Sequence, residues 1–221
     1  MRVGVLGTGV VGKTLATKLV KLGHDVRMGS RTAGGDKARQ WVDEAGGGSS
    51  EGTFADAATH GEMVFNCTAG MASLEALRAA GGENLRGKIL VDVANPLVFS
   101  KGIPPSLSVS NTDSLAEQIQ RAFPETRVVK SLNTVTTAVM VEPSLIPGQH
   151  TMFVSGNDAQ AKAAVIDLLK TGFGWKDVVD LGDLSAARAQ EMYLPLWLRL
   201  FIQLETPNLN VHVVRQDRKR L

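Results

Sequence analysis

One cysteine, Cys67, stands among the 221 residues, so no disulfide can form within them and a reducing compartment fits. It lies in the apolar run Met63-Val-Phe-Asn-Cys-Thr68, where a small buried side chain is expected rather than a nucleophile. The four histidines, His24, His60, His150 and His212, are scattered, and no His or Cys falls at metal-ligand spacing, so no metal is expected. His24 reads as a turn residue, and His60 and His150 as exposed loop residues. There is no G-x-S-x-G elbow and no recognisable pair of catalytic carboxylates. A formal net charge of only +2 gives no reason to expect a nucleic-acid partner. The basic residues Arg215 and Arg218-Lys219-Arg220 read as a solvated tail. The most apolar late stretch, Tyr193 to Leu204, is interrupted by Pro195, Arg199 and Gln203 and is too short to cross a bilayer, so no membrane partner is expected. The opening residues read as a strand and not as a signal peptide, which predicts a cytoplasmic location.

What is present is a short apolar strand, Arg2-Val-Gly-Val-Leu6, then Gly7-Thr8-Gly9-Val10-Val11-Gly12, then a helical apolar pattern ending at Gly23. A G-x-G-x-x-G turn between a strand and a helix is the dinucleotide-binding fingerprint in its required context. Gly7 permits the tight turn, Gly9 lets the backbone approach a pyrophosphate, and Gly12 lets helix and strand pack closely. The helix N-terminus offers unpaired N–H groups to the phosphates. The next strand, from Asp25, ends in Gly29-Ser30-Arg31 where an NAD-binding chain places an acidic residue for the ribose 2′-OH. A carboxylate there would repel a 2′-phosphate, whereas a hydroxyl and a guanidinium bind it. Lys37, early in the following helix, adds a second positive charge. The expected cofactor is therefore NADP(H).

Strands alternate with helices along the chain, which predicts a Rossmann-type α/β fold with a doubly wound, mainly parallel sheet. Asp36 is expected to cap a helix to Ala45, followed by a short strand near Thr53-Phe54 and a half-turn over 55–58. Further strands are expected at 62–68, 88–94 and 127–132, with a helix at 71–80 and a loop over 97–111. Ser114-x-x-Glu117 reads as a capping box for a helix ending near Phe123. The division expected is a nucleotide-binding domain over 1–150 and a small C-terminal section over 151–221, packed on the first. That section reads as strand, helix, strand and a long helix from Ser185 kinked by Pro195. The last helix is apolar on all sides, so it is buried in a core or against another subunit.

Ligands of open parallel sheets bind beyond the carboxyl ends of the strands. Three such ends carry small or polar residues: Thr68-Ala69-Gly70, Ala94-Asn95-Pro96 and Asn133-Thr134-Val135. The first two are placed to flank the nicotinamide half of the cofactor, the third to meet a second substrate. No catalytic side chain is expected. Hydride transfer between two stacked redox rings needs proximity and leaves the chemistry to the cofactors.

Gly7-Thr-Gly-x-x-Gly12, Gly29-Ser-Arg31, Val129-Lys-Ser-Leu-Asn-Thr-Val135, Phe153-Val-Ser-Gly-Asn-Asp158 and Leu181-Gly-Asp-Leu-x-x-Ala187-Arg188 together resemble the coenzyme F420-dependent NADP oxidoreductase family. The resemblance runs over nearly the whole chain and takes in the reductase domains of the STEAP metalloreductases. It implies NADP(H) contacts at Thr8, Ser30 and Arg31, with Lys37 near a lysine of the same role. It also implies a small-molecule redox acceptor, either F420 or a flavin (FMN or FAD), and a homodimer. Asn133 stands where archaeal members place a histidine. Two other readings are an NADPH-dependent imine or carbonyl reductase and a non-enzymatic NADPH-binding sensor. The imine and carbonyl reductases add a large all-helical domain, whereas the residues after His150 alternate strand and helix.

Overall fold

A computed structural model describes residues 1–100 and 102–216; Arg218-Lys219-Arg220 lies outside the described residues. The strand β1 (Arg2–Leu6) leads through the glycine turn into the helix α1 (Val10–Lys21). Then come β2 (Asp25–Ser30), α2 (Asp36–Ala45), β3 (Ser49–Thr53), α3 (Phe54–His60), β4 (Met63–Asn66), α4 (Gly70–Ala80), α5 (Gly82–Leu85) and β5 (Ile89–Asp92). A small hairpin, β6 (Leu97–Val98) with β7 (Ser106–Leu107), precedes α6 (Leu115–Ala122), β8 (Arg127–Ser131) and α7 (Thr137–Val141). The chain closes with β9 (Thr151–Gly156), α8 (Ala159–Asp167), β10 (Asp177–Asp180), α9 (Ala187–Met192) and α10 (Leu194–Leu204).

Among the described residues eight strands form one sheet in the order β10-β9-β8-β5-β4-β1-β2-β3. Every pairing in it is parallel except β8 with β9, where Lys130 lies opposite Ser155. This is the doubly wound, mainly parallel α/β sheet. All four residues of β4 and of β5 are buried, as strands covered on both faces must be. One apolar layer joins Leu15, Leu19, Trp41, Val139, Val165 and Trp175; the opposite layer joins Phe54, Leu77, Leu85, Leu115, Ile119 and Leu184. The chain leaves β1 towards β2 and β3, then returns to place β4 on the other side of β1. The strand order therefore reverses between β1 and β4, where a crevice opens at the strand ends.

Several local expectations are corrected. Asp36 is the first residue of α2 and not its cap; Gly35 holds that position without a side-chain bond, and Asp36 instead sits where a helix N-terminus favours an anion. The strand expected at Thr53-Phe54 ends at Thr53, whose hydroxyl caps a full helix, α3, in a reciprocal box with Asp56. The expected loop over 97–111 holds the β6–β7 hairpin. Ser114 caps α6 as its motif predicts, accepting from Glu117 N. The long last helix is a 3₁₀ turn (Leu184–Ala186) and two helices broken at Tyr193, with Pro195 in the first turn of α10, where a missing N–H does least harm. The chain's own core does not take up α10. Only Leu194 is buried, while Leu196, Phe201, Ile202 and Leu204 are exposed. His150 is buried too. Its Nε2–H donates to the Pro143 carbonyl, its ring meets Trp175 edge-on, and Asn210 donates to its Nδ1. None of the helices among the described residues is long and apolar enough to cross a membrane.

Candidate functional site

The glycine turn is held by close backbone contacts. Gly7 adopts φ +116°, a region closed to most side chains, and its N–H donates to Gly29 O at 2.9 Å. A Cβ on Gly12 would lie 2.0 Å from Gly7 O, so only glycine lets α1 start this near β1. Around Gly9 the reverse holds, since a Cβ there would meet no atom within 4 Å. Gly9 is the N-cap of α1 and makes no side-chain bond, and the first turn carries no acidic residue. The free N–H groups and partial positive charge of this 12-residue helix therefore face open space. Those features suit a pyrophosphate.

Two cavities meet at this turn. The first, 410 Å³, lies beside the end of β2 and is lined by Gly7, Thr8, Gly9, Ser30, Arg31 and Thr32, with α4 supplying Ala72 and Glu75 on the other side. Ser30 Oγ donates to Thr32 O at 2.6 Å, which fixes the loop that presents Arg31. Arg31 is exposed, and among the described residues no carboxylate pairs with it. Lys37 is also exposed, in the first turn of α2, but does not line this cavity.

The second cavity, 370 Å³, shares Cys67, Thr68 and Ala69 with the first and continues the cleft across the strand ends. Here the structure brings together the three loops singled out in the sequence: Thr68, Ala69 and Gly70; Ala94 and Asn95; Asn133 and Val135. Val11 also lines it, whereas Val10, Pro96 and Thr134 do not. Val10 points to solvent, and Thr134 is buried with its hydroxyl unpartnered. Two reciprocal bonds clasp the second loop to the third. Asn95 Nδ2 donates to Asn133 O and Asn133 Nδ2 to Asn95 Oδ1, both at 2.9 Å. The sequence reading missed Met140, Leu194 and Trp197, which complete the wall together with Val93, Leu97, Phe99, Thr136 and Thr137. Among the described residues no charged side chain lines this second cavity. A larger cavity of 580 Å³, at the start of β9 and β10, shares no lining residue with the cleft.

Beneath the second cavity lies a buried ionic cluster that the sequence reading also missed. Lys130 Nζ donates to Asp92 Oδ2 at 2.7 Å, Glu191 Oε1 at 2.9 Å and Ala94 O at 2.5 Å. Burial alone would push this ammonium down, but the two carboxylates outweigh it and hold it above the ordinary lysine range. The other Asp92 oxygen accepts from Asn66 Nδ2 and Ala94 N, and Asn66 Oδ1 accepts from the Thr68 hydroxyl. A signal did exist in the sequence: Asp92 and Lys130 are opposite charges at paired positions of two neighbouring buried strands.

Burial and the nearby Asp92 both push the Cys67 thiol up, away from the reactive thiolate. Alkylation of the native protein by iodoacetamide at pH 8 is expected to be about 100-fold slower than in denaturant, followed by mass spectrometry. Equal rates would show the thiol to be accessible.

A glycine-turn crevice at the reversal of a doubly wound sheet, continued by a largely apolar cavity, defines a Rossmann-type nucleotide-dependent protein. The model of the family described as NADP oxidoreductase coenzyme F420-dependent matches residues 2–96. A crystal structure from Arthrobacter sp. FB24, described as a candidate F420-dependent NADP reductase, is 51% identical with a TM-score of 0.92, covering 97% of this chain and 100% of that one. The chain belongs to the coenzyme F420-dependent NADP oxidoreductase family. Metalloreductase STEAP3 of Rattus norvegicus is 30% identical over 206 residues, 89% of this chain and 38% of the metalloreductase. This chain thus spans well under half the length of the curated metalloreductases that it matches. A reductive aminase of Aspergillus terreus in complex with NADPH shares the fold at 19% identity and TM-score 0.65, covering 91% of this chain and 62% of that one.

Proposed function

We propose that this protein transfers a hydride between NADP(H) and a deazaflavin (F420) or a flavin such as FMN or FAD. The observation that carries this reading is the second cavity, largely apolar and, among the described residues, without a charged side chain, continuous with the glycine turn. Such a space suits two flat rings stacked face to face and excludes water from between them. In this reading the α1 N-terminus and Gly9 receive the pyrophosphate, and Ser30 and Arg31 the 2′-phosphate, with Thr8 and Lys37 nearby. Thr68, Ala69, Gly70, Ala94 and Asn95 flank the nicotinamide, and Asn133 and Val135 meet the acceptor, with Pro96 and Thr134 behind them in the same loops. NADP(H) supplies or receives the hydride, and the side chains hold and orient the rings without exchanging a proton.

The homodimer belongs to the same proposal. Exposed Leu196, Phe201, Ile202 and Leu204 give α10 an unpartnered apolar surface that a second copy would cover. A cytoplasmic location and the division into 1–150 and 151–221 are likewise proposed.

The test is NADPH oxidation at 340 nm with F420, FMN or FAD in turn, alongside thermal shifts. NADPH at 100 times its Kd is expected to stabilise the protein by about 2.7 kcal/mol, with rapid turnover on at least one of the three acceptors. Stabilisation by NADPH without turnover on any of them would refute the acceptor and favour a sensor.

A further inference from the structure

The second half of the cleft is assembled from parts distant in the chain, and one buried side chain on β8 ties two of them together. Lys130, on β8, is fully buried, and its three N–H bonds go to Asp92 and Ala94 at the end of β5 and to Glu191 on α9. Asp92 passes the connection through Asn66 to Thr68 at the end of β4. Gln190, next to Glu191, donates to Lys130 O, while its carbonyl accepts from Asn133 Nδ2. The helix that follows supplies Leu194 and Trp197 to the cavity wall.

We propose that Lys130 is a positioning residue. Its ammonium sets the carbonyl of Ala94 and the loop behind it, and through Glu191 fixes α9 and α10 to the same point. One charged group thereby shapes the nicotinamide end of the cleft, whereas the adenine end, with Gly7, Thr8, Ser30 and Arg31, meets the cluster only indirectly, at Thr68, and is not touched by Glu191. The inference rests on the reading above of which half holds the nicotinamide.

Glu191 gives the sharpest handle. Its oxygens face only donors: Lys130 Nζ, Leu115 N and Ala116 N. A glutamine fits the space, but its amide N–H₂ must then point at one of these donors and find no acceptor. Glu191→Gln should unhook α9 from the cluster while Lys130 keeps Asp92. Lys130→Met, by contrast, leaves two buried carboxylates without their cation and is expected to fold poorly.

The experiment measures the affinity of wild type and Glu191→Gln for two probes, NADPH and 2′,5′-ADP, which carries only the adenine half with its 2′-phosphate. For Glu191→Gln, NADPH is expected to weaken about tenfold and 2′,5′-ADP to stay within about twofold. Amide exchange should quicken over 187–204 and stay unchanged over 10–21. Equal weakening of both probes would reduce the cluster to general stability and overturn the proposal, as would unchanged affinity for both. None of these readouts needs an acceptor, so a wild type that fails to turn over F420 or flavins leaves this test intact.

Discussion

Gly12→Ala is expected to cost about 3 kcal/mol or more and to abolish NADPH binding with it. The added methyl would lie 2.0 Å from Gly7 O and 2.9 Å from its carbonyl carbon, both backbone atoms of the turn itself. No rotamer can relieve such a clash, so α1 must retreat from β1, and the contacts of Leu15, Ala16 and Leu19 with the core retreat with it. Gly9→Ala is the matched control. Its methyl meets nothing within 4 Å, and its backbone, φ −74° and ψ −178°, suits any residue. Its stability should change by no more than about 0.5 kcal/mol. Yet the methyl enters the space where the pyrophosphate is proposed to lie, so NADPH should weaken about tenfold or more. Urea melts with and without NADPH separate the two effects. A Gly9→Ala protein that bound NADPH as tightly as wild type would remove the pyrophosphate from this turn.

Arg31→Glu is expected to weaken NADPH about 100-fold and leave NADH no worse bound. Arg31 lies on the wall of the first cavity, exposed, and no carboxylate among the described residues holds it in place. Its guanidinium is thus available to a phosphate, and charge-assisted bonds of this kind are the strong ones. The glutamate reverses that attraction and recreates the acidic strand end that favours a ribose 2′-OH. Folding should be nearly unaffected, because the side chain is solvated. Titration with NADPH and NADH, followed by nucleotide fluorescence, reads the ratio directly. An unchanged ratio would mean that the 2′-phosphate sits elsewhere.

How far the sequence carried depends on how local each determinant is. The glycine turn was legible because its constraint is steric and contained within six residues. Ser30 and Arg31 were legible because the end of the second strand always adjoins that turn in this topology. The three polar loops were found for the same reason, and the structure gathers residues from all three around one cavity. Leu194 and Trp197 were not legible as cavity residues. Their placement depends on the break at Tyr193 and on the anchoring of α9 by Glu191, whose partners lie on β8 and at the start of α6. His150 was misread because residues 210–213 fold back across the start of β9, where Thr151 N bonds to Val211 O. Asp92 and Lys130 could have been found. A charge inside an apolar strand of a parallel sheet demands a partner, and each strand holds the other's.

The use of α10 as a wall sets the order in which the cleft comes into being during synthesis. The elements around the first cavity, β1 to α4, are all contained within the first 80 residues. The other half waits for Leu194 and Trp197, more than a hundred residues later. A chain emerging from the ribosome, folding from its N-terminus as it grows, therefore completes the first cavity well before the second has its last wall.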